Sequence, residues 1–320
     1  MIAFGPVPSR RLGRSLGINN IPPKVCTYSC VYCQVGKTRR MRFERCPFYE
    51  PEDIFASVRN QVKKAGKKGE SIDYLTFVSD GEPTLDVNLG YEIDLLKSSG
   101  NKIGIITNAS LIFREEVRAD LMKADWVSLK LDSTWKTSWR KINRPHRELE
   151  LGLILTGMLD FSKAFRGEFV TETMLVQGLN TDSGMLKELA EFLAGLNPAK
   201  AYLAIPTRPP AENWVRPPAP QDINIAFQVF HEKLDQVEYL IGYEGNAFAF
   251  TGNVEEDMLN ITSVHPMRES AVSELLKKAN ADWPKVHQLI AQGKLVETEY
   301  EGQKFYLRGI SSEDTIASSF

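Results

Sequence analysis

SLGINNIPPKVCTYSCVYC, residues 15–33, is a short apolar run that stops at a proline pair and leads straight into three cysteines. Leu16 and Ile18 read as a strand, and Pro22 and Pro23 end it, because a proline cannot donate to a ladder. Cys26, Cys30 and Cys33 therefore fall in a loop, residues 22–36, directly after the first strand. A disulfide scaffold would spread its cysteines, but here three of four lie within eight residues and Cys46 stands apart. Three thiolates on a four-iron cluster would leave one iron open to an exogenous molecule. With Cys46 as a fourth thiolate the same residues could instead build a tetrahedral structural zinc site. A plain group of buried or reactive cysteines is the third reading, and spacing alone leaves all three open.

Outward from this loop, short apolar runs alternate with amphipathic segments as far as Pro210, the pattern of repeated βα units on a parallel sheet. Strands are predicted near Ser15–Asn20, Ile72–Val78, Ile103–Thr107, Trp126–Leu131, Phe169–Val176 and Ala201–Ile205. Helices are predicted over Pro51–Ala65, with Ile54, Val58 and Val62 at spacing four, and over Met185–Leu196, with Leu186, Leu189, Phe192 and Leu193 on one stripe. The fold class is α/β, and six such strands suggest a partial (βα)6 TIM-like barrel over residues 1–210. The proline-rich stretch that follows cannot continue a helix or a central strand and reads as a connector or irregular rim. With a helix at Ile223–Leu234 and a strand at Val237–Tyr243, it makes residues 211–254 a connector and barrel cap. Residues 255–320 read as helix (Met267–Lys278), helix (Trp283–Gln292) and a hairpin over Leu295–Leu307 turning at Glu301-Gly302, which is winged-helix order, with a loose tail at Ser311–Phe320. This segment is not basic as nucleic-acid readers usually are, so packing or partner docking is the plainer use of it.

With 320 residues, 42% hydrophobic and 25% charged, the chain has globular composition and no apolar run long enough to cross a bilayer. Its first residues lack a secretory pattern, so a cytoplasmic location is expected. The net charge of −2 argues against a wholesale polyanion binder, yet Arg10, Arg11, Arg14, Lys24, Lys37, Arg39, Arg40, Arg42 and Arg45 face only Glu44 within positions 1–45.

Further motifs cluster at predicted strand ends. FVSDGEPTL places Gly81-Glu82-Pro83 after the second strand, in most proteins an ordinary turn. IITNAS puts Thr107 and Asn108 at the end of the third strand, where barrel enzymes collect functional groups, although Asn108 could simply cap a turn. VSLKLDS alternates Ser128, Lys130 and Asp132 on one face, and an inward face would bring a cation and an anion into the lumen. TETMLV offers Glu172 as a lumen candidate. Asn180 and the sixth-strand end, with Pro206, Thr207 and Arg208, are weaker signals, and Lys141, Asn143, Arg144 and His146 in RKINRPH read either as a substrate anion site or as a salt-bridged loop.

The C-x3-C-x2-C loop, with aromatic Tyr32 before its last cysteine, and the later Gly81-Glu82-Pro83 together resemble the radical S-adenosylmethionine (radical SAM) superfamily over about residues 15–210. The segments SRRLGRSLGINNIPPKVCTYSCVYCQ and RKINRP resemble the iron–sulfur oxidoreductase subgroup related to wyosine-forming tRNA enzymes. Those enzymes commonly carry a second cysteine triad or a flavodoxin-like domain, and neither is present here. The resemblance implies a [4Fe–4S] cluster on Cys26, Cys30 and Cys33, and S-adenosylmethionine cleaved to a 5′-deoxyadenosyl radical that abstracts hydrogen from a substrate. It implies Tyr32 beside the adenine, Gly81, Glu82 and Pro83 at the methionine amino group, Thr107 and Asn108 at the ribose or carboxylate, and Lys130 at the carboxylate. Asp132 would hold Lys130 or a ribose hydroxyl, and Pro206 would close the adenine side. An acidic electron donor such as a flavodoxin or ferredoxin is the expected partner. An anionic substrate, a nucleotide or tRNA, is a further one, which would make the chain an RNA- or nucleotide-modifying enzyme. A zinc-stabilised winged-helix regulator is the alternative of another class.

Overall fold

A computed structural model describes residues 2–241, 248, 250, 252–264 and 266–309. The chain opens with an antiparallel hairpin, β1 (Ala3–Ser9) and β2 (Gly13–Ile18), and a short pair, β3 (Val25–Cys26) and β4 (Arg40–Met41), brackets the cysteine loop. Then follow α1 (Pro51–Lys67), β5 (Tyr74–Phe77), α2 (Leu89–Lys97), β6 (Lys102–Thr107), α3 (Glu115–Leu121) and β7 (Trp126–Lys130). Next come α4 (Lys136–Asn143), α5 (Leu151–Ala164), β8 (Glu168–Met174), α6 (Ser183–Leu196), β9 (Lys200–Ala204), α7 (Pro220–His231) and β10 (Val237–Leu240). The chain continues through α8 (Val254–Val264), β11 (Met267–Arg268), α9 (Glu269–Lys278), α10 (Pro284–Ala291), β12 (Leu295–Tyr300) and β13 (Gln303–Arg308).

One eight-stranded sheet runs in the order β1-β2-β5-β6-β7-β8-β9-β10, and every pairing except β1 with β2 is parallel. The six predicted strands are all present, but the parallel set has seven. β10, expected in a cap, pairs with β9 through Val237–Leu240 against Ala201–Ala204, so a boundary at residue 210 cuts through one sheet. The end of the predicted Val237–Tyr243 strand, at residues 242 and 243, lies outside the described residues, as does the predicted tail. β1 had no sequence signal, because Pro6 and Pro8 interrupt it. It pairs only as an edge strand with a register shift between Phe4 and Val7, which is where strand prolines are tolerated.

Local chemistry accounts for the helices that carry the loops. α1 starts on Pro51 with Glu52 and Asp53 in its first turn, ends with Lys64 and Lys67, and buries Ile54 and Val58. Each of these two side chains contributes about 1.5–3 kcal/mol through burial. α6 is capped by Asp182, whose carboxylate accepts from the amides of Gly184 and Met185, and it ends at Asn197 in the left-handed conformation. Side chains alternate across the sheet. Val127, Leu129 and Leu203 pack under the helices, while Leu12, Trp126, Val170 and Tyr202 form an apolar layer on the opposite, lumen side.

Residues 254–309 carry their own core, including Met258, Ile261, Leu275, Val286 and Tyr306, beneath a three-stranded sheet ordered β11-β13-β12. The hairpin turns where the sequence predicts, with Glu301 at φ 49° and Gly302 at φ 69°. Two left-handed residues match the twist of a two-residue hairpin turn. The Tyr300 hydroxyl donates to the Pro206 carbonyl at 3.2 Å and ties this hairpin to the mouth of the sheet. No described helix is long and apolar enough to cross a membrane.

Candidate active site

A cavity of about 270 Å³ opens at the carboxyl ends of the parallel strands, and Cys26, Cys30 and Cys33 share its wall with Tyr32, Lys130 and Pro206. Gly81, Thr107 and Asn108 line it as well, so six of the nine predicted cofactor residues reach the cavity. Glu82, Pro83 and Asp132 stand behind the wall, and each braces a neighbour instead.

Glu82 is fully buried. It accepts from the Thr107 hydroxyl at 2.6 Å, the Asn108 amide at 2.7 Å, and the Thr84 hydroxyl and amide at 2.6 and 3.1 Å. Burial raises its pKa, and these donors work against the rise. Its carboxyl thus ties the end of β5 to the end of β6. The Pro83 carbonyl accepts from Asn20 Nδ2 at 3.2 Å.

Asp132 was expected to hold Lys130 or a ribose hydroxyl; of these, Lys130 pairs with Glu172 instead, at 3.0 Å. Asp132 instead accepts from the Tyr32 hydroxyl, from Asn143 Nδ2 at 2.6 Å and from the Met174 amide at 2.8 Å. The Lys130 ammonium also lies 4.9 Å from the centre of the Tyr32 ring. Burial opposes its charge, but Glu172 and then Asp132 outweigh that effect, and its pKa is raised. Burial likewise pushes Glu172 up, yet Lys130 and then Arg11 hold it at about 2, so this carboxylate stays ionised.

The cysteine loop is held from three sides. The Val25 carbonyl passes so close to Gly81 that a β-carbon there would sit 1.8 Å from it, so only glycine fits. Asn108 Nδ2 donates to Thr27 Oγ1 at 2.9 Å and reaches Cys26 Sγ at 3.5 Å, while its own Oδ1 caps the turn through the Ser110 amide. Asn108 thus caps the turn and also lines the cavity. RKINRPH braces the cysteine loop. The Val31 amide bonds the Ile142 carbonyl at 2.9 Å, the His146 amide bonds the Thr27 carbonyl at 2.9 Å, and Asn143 Nδ2 approaches Cys30 Sγ at 3.4 Å. Arg144 pairs with Glu212, and Lys141 is exposed. Asn180 lies behind the β7 and β8 ends, donating to the Asp132 and Met174 carbonyls. The rim reading of the proline-rich stretch fits, since the Glu212 amide bonds the Val31 carbonyl and Val215 packs with Val31 and Tyr32.

Burial pushes the Cys30 thiol up to about 12 and raises Cys26 and Cys33 as well. Three half-buried thiols on one wall suit a cationic metal centre, which would offset the cost of charging them. Among the described residues no three His, Cys, Asp or Glu side chains gather around a point that would hold a single ion. Cys46 does not line the cavity. It accepts from Arg42 Nη1 at 3.2 Å and bridges to Asp86, so a zinc site using all four thiolates is not assembled.

Behind the Gly81-Glu82-Pro83 turn lies a feature the sequence did not signal, a buried carboxyl pair, Asp86 and Glu92. Asn20 donates to Glu92 as well as to Pro83. Burial raises Glu92 to about 9, with Asp86 adding to the rise. The folded protein therefore holds a proton here that the unfolded chain releases near the ordinary glutamate value. The associated stability is complete at acid pH and is lost as pH rises toward about 9, at up to about 1.4 kcal/mol per unit. Glu92→Gln, which keeps the neutral form, is expected to flatten the fall in melting temperature between pH 6 and 9; an unchanged slope would show that Glu92 is not the proton holder.

A strand-end cavity walled by a three-cysteine loop, with Gly81 of a Gly-Glu-Pro turn beside it, defines the class, and the sequence model described as the radical SAM superfamily matches residues 20–197, so the chain belongs to that superfamily. Within it, the chain groups with the UPF0026 proteins. It is 49% identical over 320 residues to UPF0026 protein MJ1312 of Methanocaldococcus jannaschii, covering 99% of both chains. It is also 31% identical over 310 residues to a Brachyspira hyodysenteriae protein named GTPase Obg, covering 91% of this chain but 44% of that one. Among solved structures, a radical SAM methyltransferase from Sphaerobacter thermophilus superposes with a TM-score of 0.56 at 16% identity, over 71% of this chain and 66% of that one, a likeness of fold alone.

Proposed function

We propose that Cys26, Cys30 and Cys33 hold one [4Fe–4S] cluster and that S-adenosylmethionine binds between it and Lys130. The observation that carries this reading is the convergence of the three cysteines with Gly81, Asn108 and Lys130 on one cavity. The bound cluster and S-adenosylmethionine would supply a 5′-deoxyadenosyl radical that takes a hydrogen atom from substrate. The protein's own residues fix where this happens. Lys130, kept charged by Glu172, offers an ammonium to the methionine carboxylate, and Tyr32, fixed by Asp132, lies beneath it. Leu12, Trp126 and Tyr202 close the lumen below with apolar surface, which keeps water from a reactive intermediate.

We read the residue 254–309 unit, with its three helices and hairpin, as winged-helix-like and assign it a packing or docking role at the mouth of the sheet. An acidic electron donor would approach by way of Arg39 and Arg40, which are exposed just beyond the cysteine loop.

The test is anaerobic reconstitution followed by calorimetry. Lys130→Ala should weaken S-adenosylmethionine binding about tenfold or more, from loss of a charge-assisted bond worth roughly 1.5–3 kcal/mol, with iron content unchanged. Unchanged affinity would remove Lys130 from the cofactor site, and no deoxyadenosine released under reductant would sink the radical reading.

A further inference from the structure

The floor of the cavity is built by a segment that the superfamily match does not include. The β1–β2 hairpin turns at Arg10–Leu12, ahead of the matched residues 20–197. From this tip Leu12 packs on Trp126 and Tyr202 in the lumen, and Arg10 Nη2 donates at 3.0 Å to the carbonyl of Leu240, the last residue of the strand at the far edge of the sheet. The hairpin that borders one edge thus reaches across to the other and carries two guanidinium groups to the cavity wall.

Charge decides what these groups are for. Two carboxylates, Asp80 and Glu172, line the cavity. Lys24 pairs with Asp80 at 3.2 Å. Glu172 is shared by Lys130 and Arg11, so this trio keeps one positive charge whatever Arg10 and Arg208 engage. A four-iron cluster on three thiolates carries a net negative charge and S-adenosylmethionine a net positive one, and the two offset each other. An enclosed cation left over in this way calls for an anion that arrives with the substrate.

We infer that the substrate carries a compact oxyanion, a phosphate ester or a carboxylate, that seats against Arg11 and Arg10 on the floor of the lumen. This rests on the radical SAM reading of the cavity and adds the substrate class to it. Guanidinium forks suit either oxyanion, since both present two oxygens to parallel N–H donors. Glu172 holds Arg11 in place, and Lys130 remains available to the cofactor carboxylate.

The test uses the full chain, reconstituted anaerobically and saturated with S-adenosylmethionine, whose own binding is measured first so that failure of the cofactor reading shows separately. Inorganic phosphate, acetate and chloride are then titrated at constant ionic strength by calorimetry. The expected result is saturable binding of phosphate or acetate over chloride, weakened tenfold or more by Arg11→Gln and partly retained by Arg11→Lys. Saturation by phosphate identifies a phosphate ester, and saturation by acetate alone a carboxylate. If Arg11→Gln fails to fold, Arg11→Lys and Arg10→Gln carry the same comparison. Equal behaviour of all three anions, or wild-type affinity in the folded variants, would overturn the inference.

Discussion

Replacing Cys30 with Ala is expected to abolish cluster assembly, with iron and sulfide falling to background and all deoxyadenosine release lost, whereas Cys46→Ala retains wild-type iron content and visible absorption. Cys30 shares the cavity wall with Cys26 and Cys33. With two thiolates left, the cluster would lack a protein ligand at a second iron and be open to dissociation. Cys46 sits outside the cavity, hydrogen-bonded to Arg42 and bridged to Asp86, and its loss removes only a local contact. Quantifying iron, sulfide and zinc in all four single variants checks this. A Cys46→Ala protein as poor in iron as Cys30→Ala, or one zinc per wild-type chain, would reverse the assignment.

Gly81→Ala is expected to have the next largest effect, although it adds one methyl group. The new β-carbon would meet the Val25 carbonyl oxygen at 1.8 Å and the Ile21 side chain at 2.8 Å. The first is backbone and cannot rotate away, so the cysteine loop or the Gly81-Glu82-Pro83 turn must move. Overpacking of this kind costs roughly 1–3 kcal/mol. The displaced segment carries Cys26, next to Val25, and Glu82, whose amide bonds the Val25 carbonyl at 3.2 Å. A fall in melting temperature of several degrees and at least a tenfold loss of S-adenosylmethionine affinity are expected, read by thermal denaturation and calorimetry on the same reconstituted sample. Normal affinity in a destabilised protein would mean that the loop yields without disturbing the site.

Much of the site was legible in the sequence because its signals are local. Three cysteines within eight residues, a glycine-led turn after a strand and the alternation of Ser128, Lys130 and Asp132 each depend on neighbours a few positions away. The period of two correctly turned Lys130 and Glu172 into the lumen. It could not say which charge pairs with which. Lys130 chose Glu172, its partner in register on the adjacent strand, while Asp132 lies beyond the β7–β8 pairing and turned to Tyr32 and Asn143.

The basic run of residues 1–45 shows the same limit most clearly. In sequence it reads as one docking surface, but folding distributes it. Arg14 pairs with Glu70, Lys24 with Asp80, Lys37 with Glu212 and Arg45 with Asp120, and Arg11 enters the cavity to meet Glu172. Those acids lie between 56 and 175 positions away along the chain, so no local pattern could reveal them. The sequence by itself carried the resemblance to the radical SAM superfamily and the parallel α/β architecture, because motif residues, short spacing and side-chain period act over a few residues. Only the tertiary structure decided that β10 completes the sheet, that RKINRPH braces the cysteine loop, and that a hairpin ahead of the shared domain lays two arginines on the cavity floor. Each depends on contacts between distant segments, fixed by packing and by where buried charges find their partners.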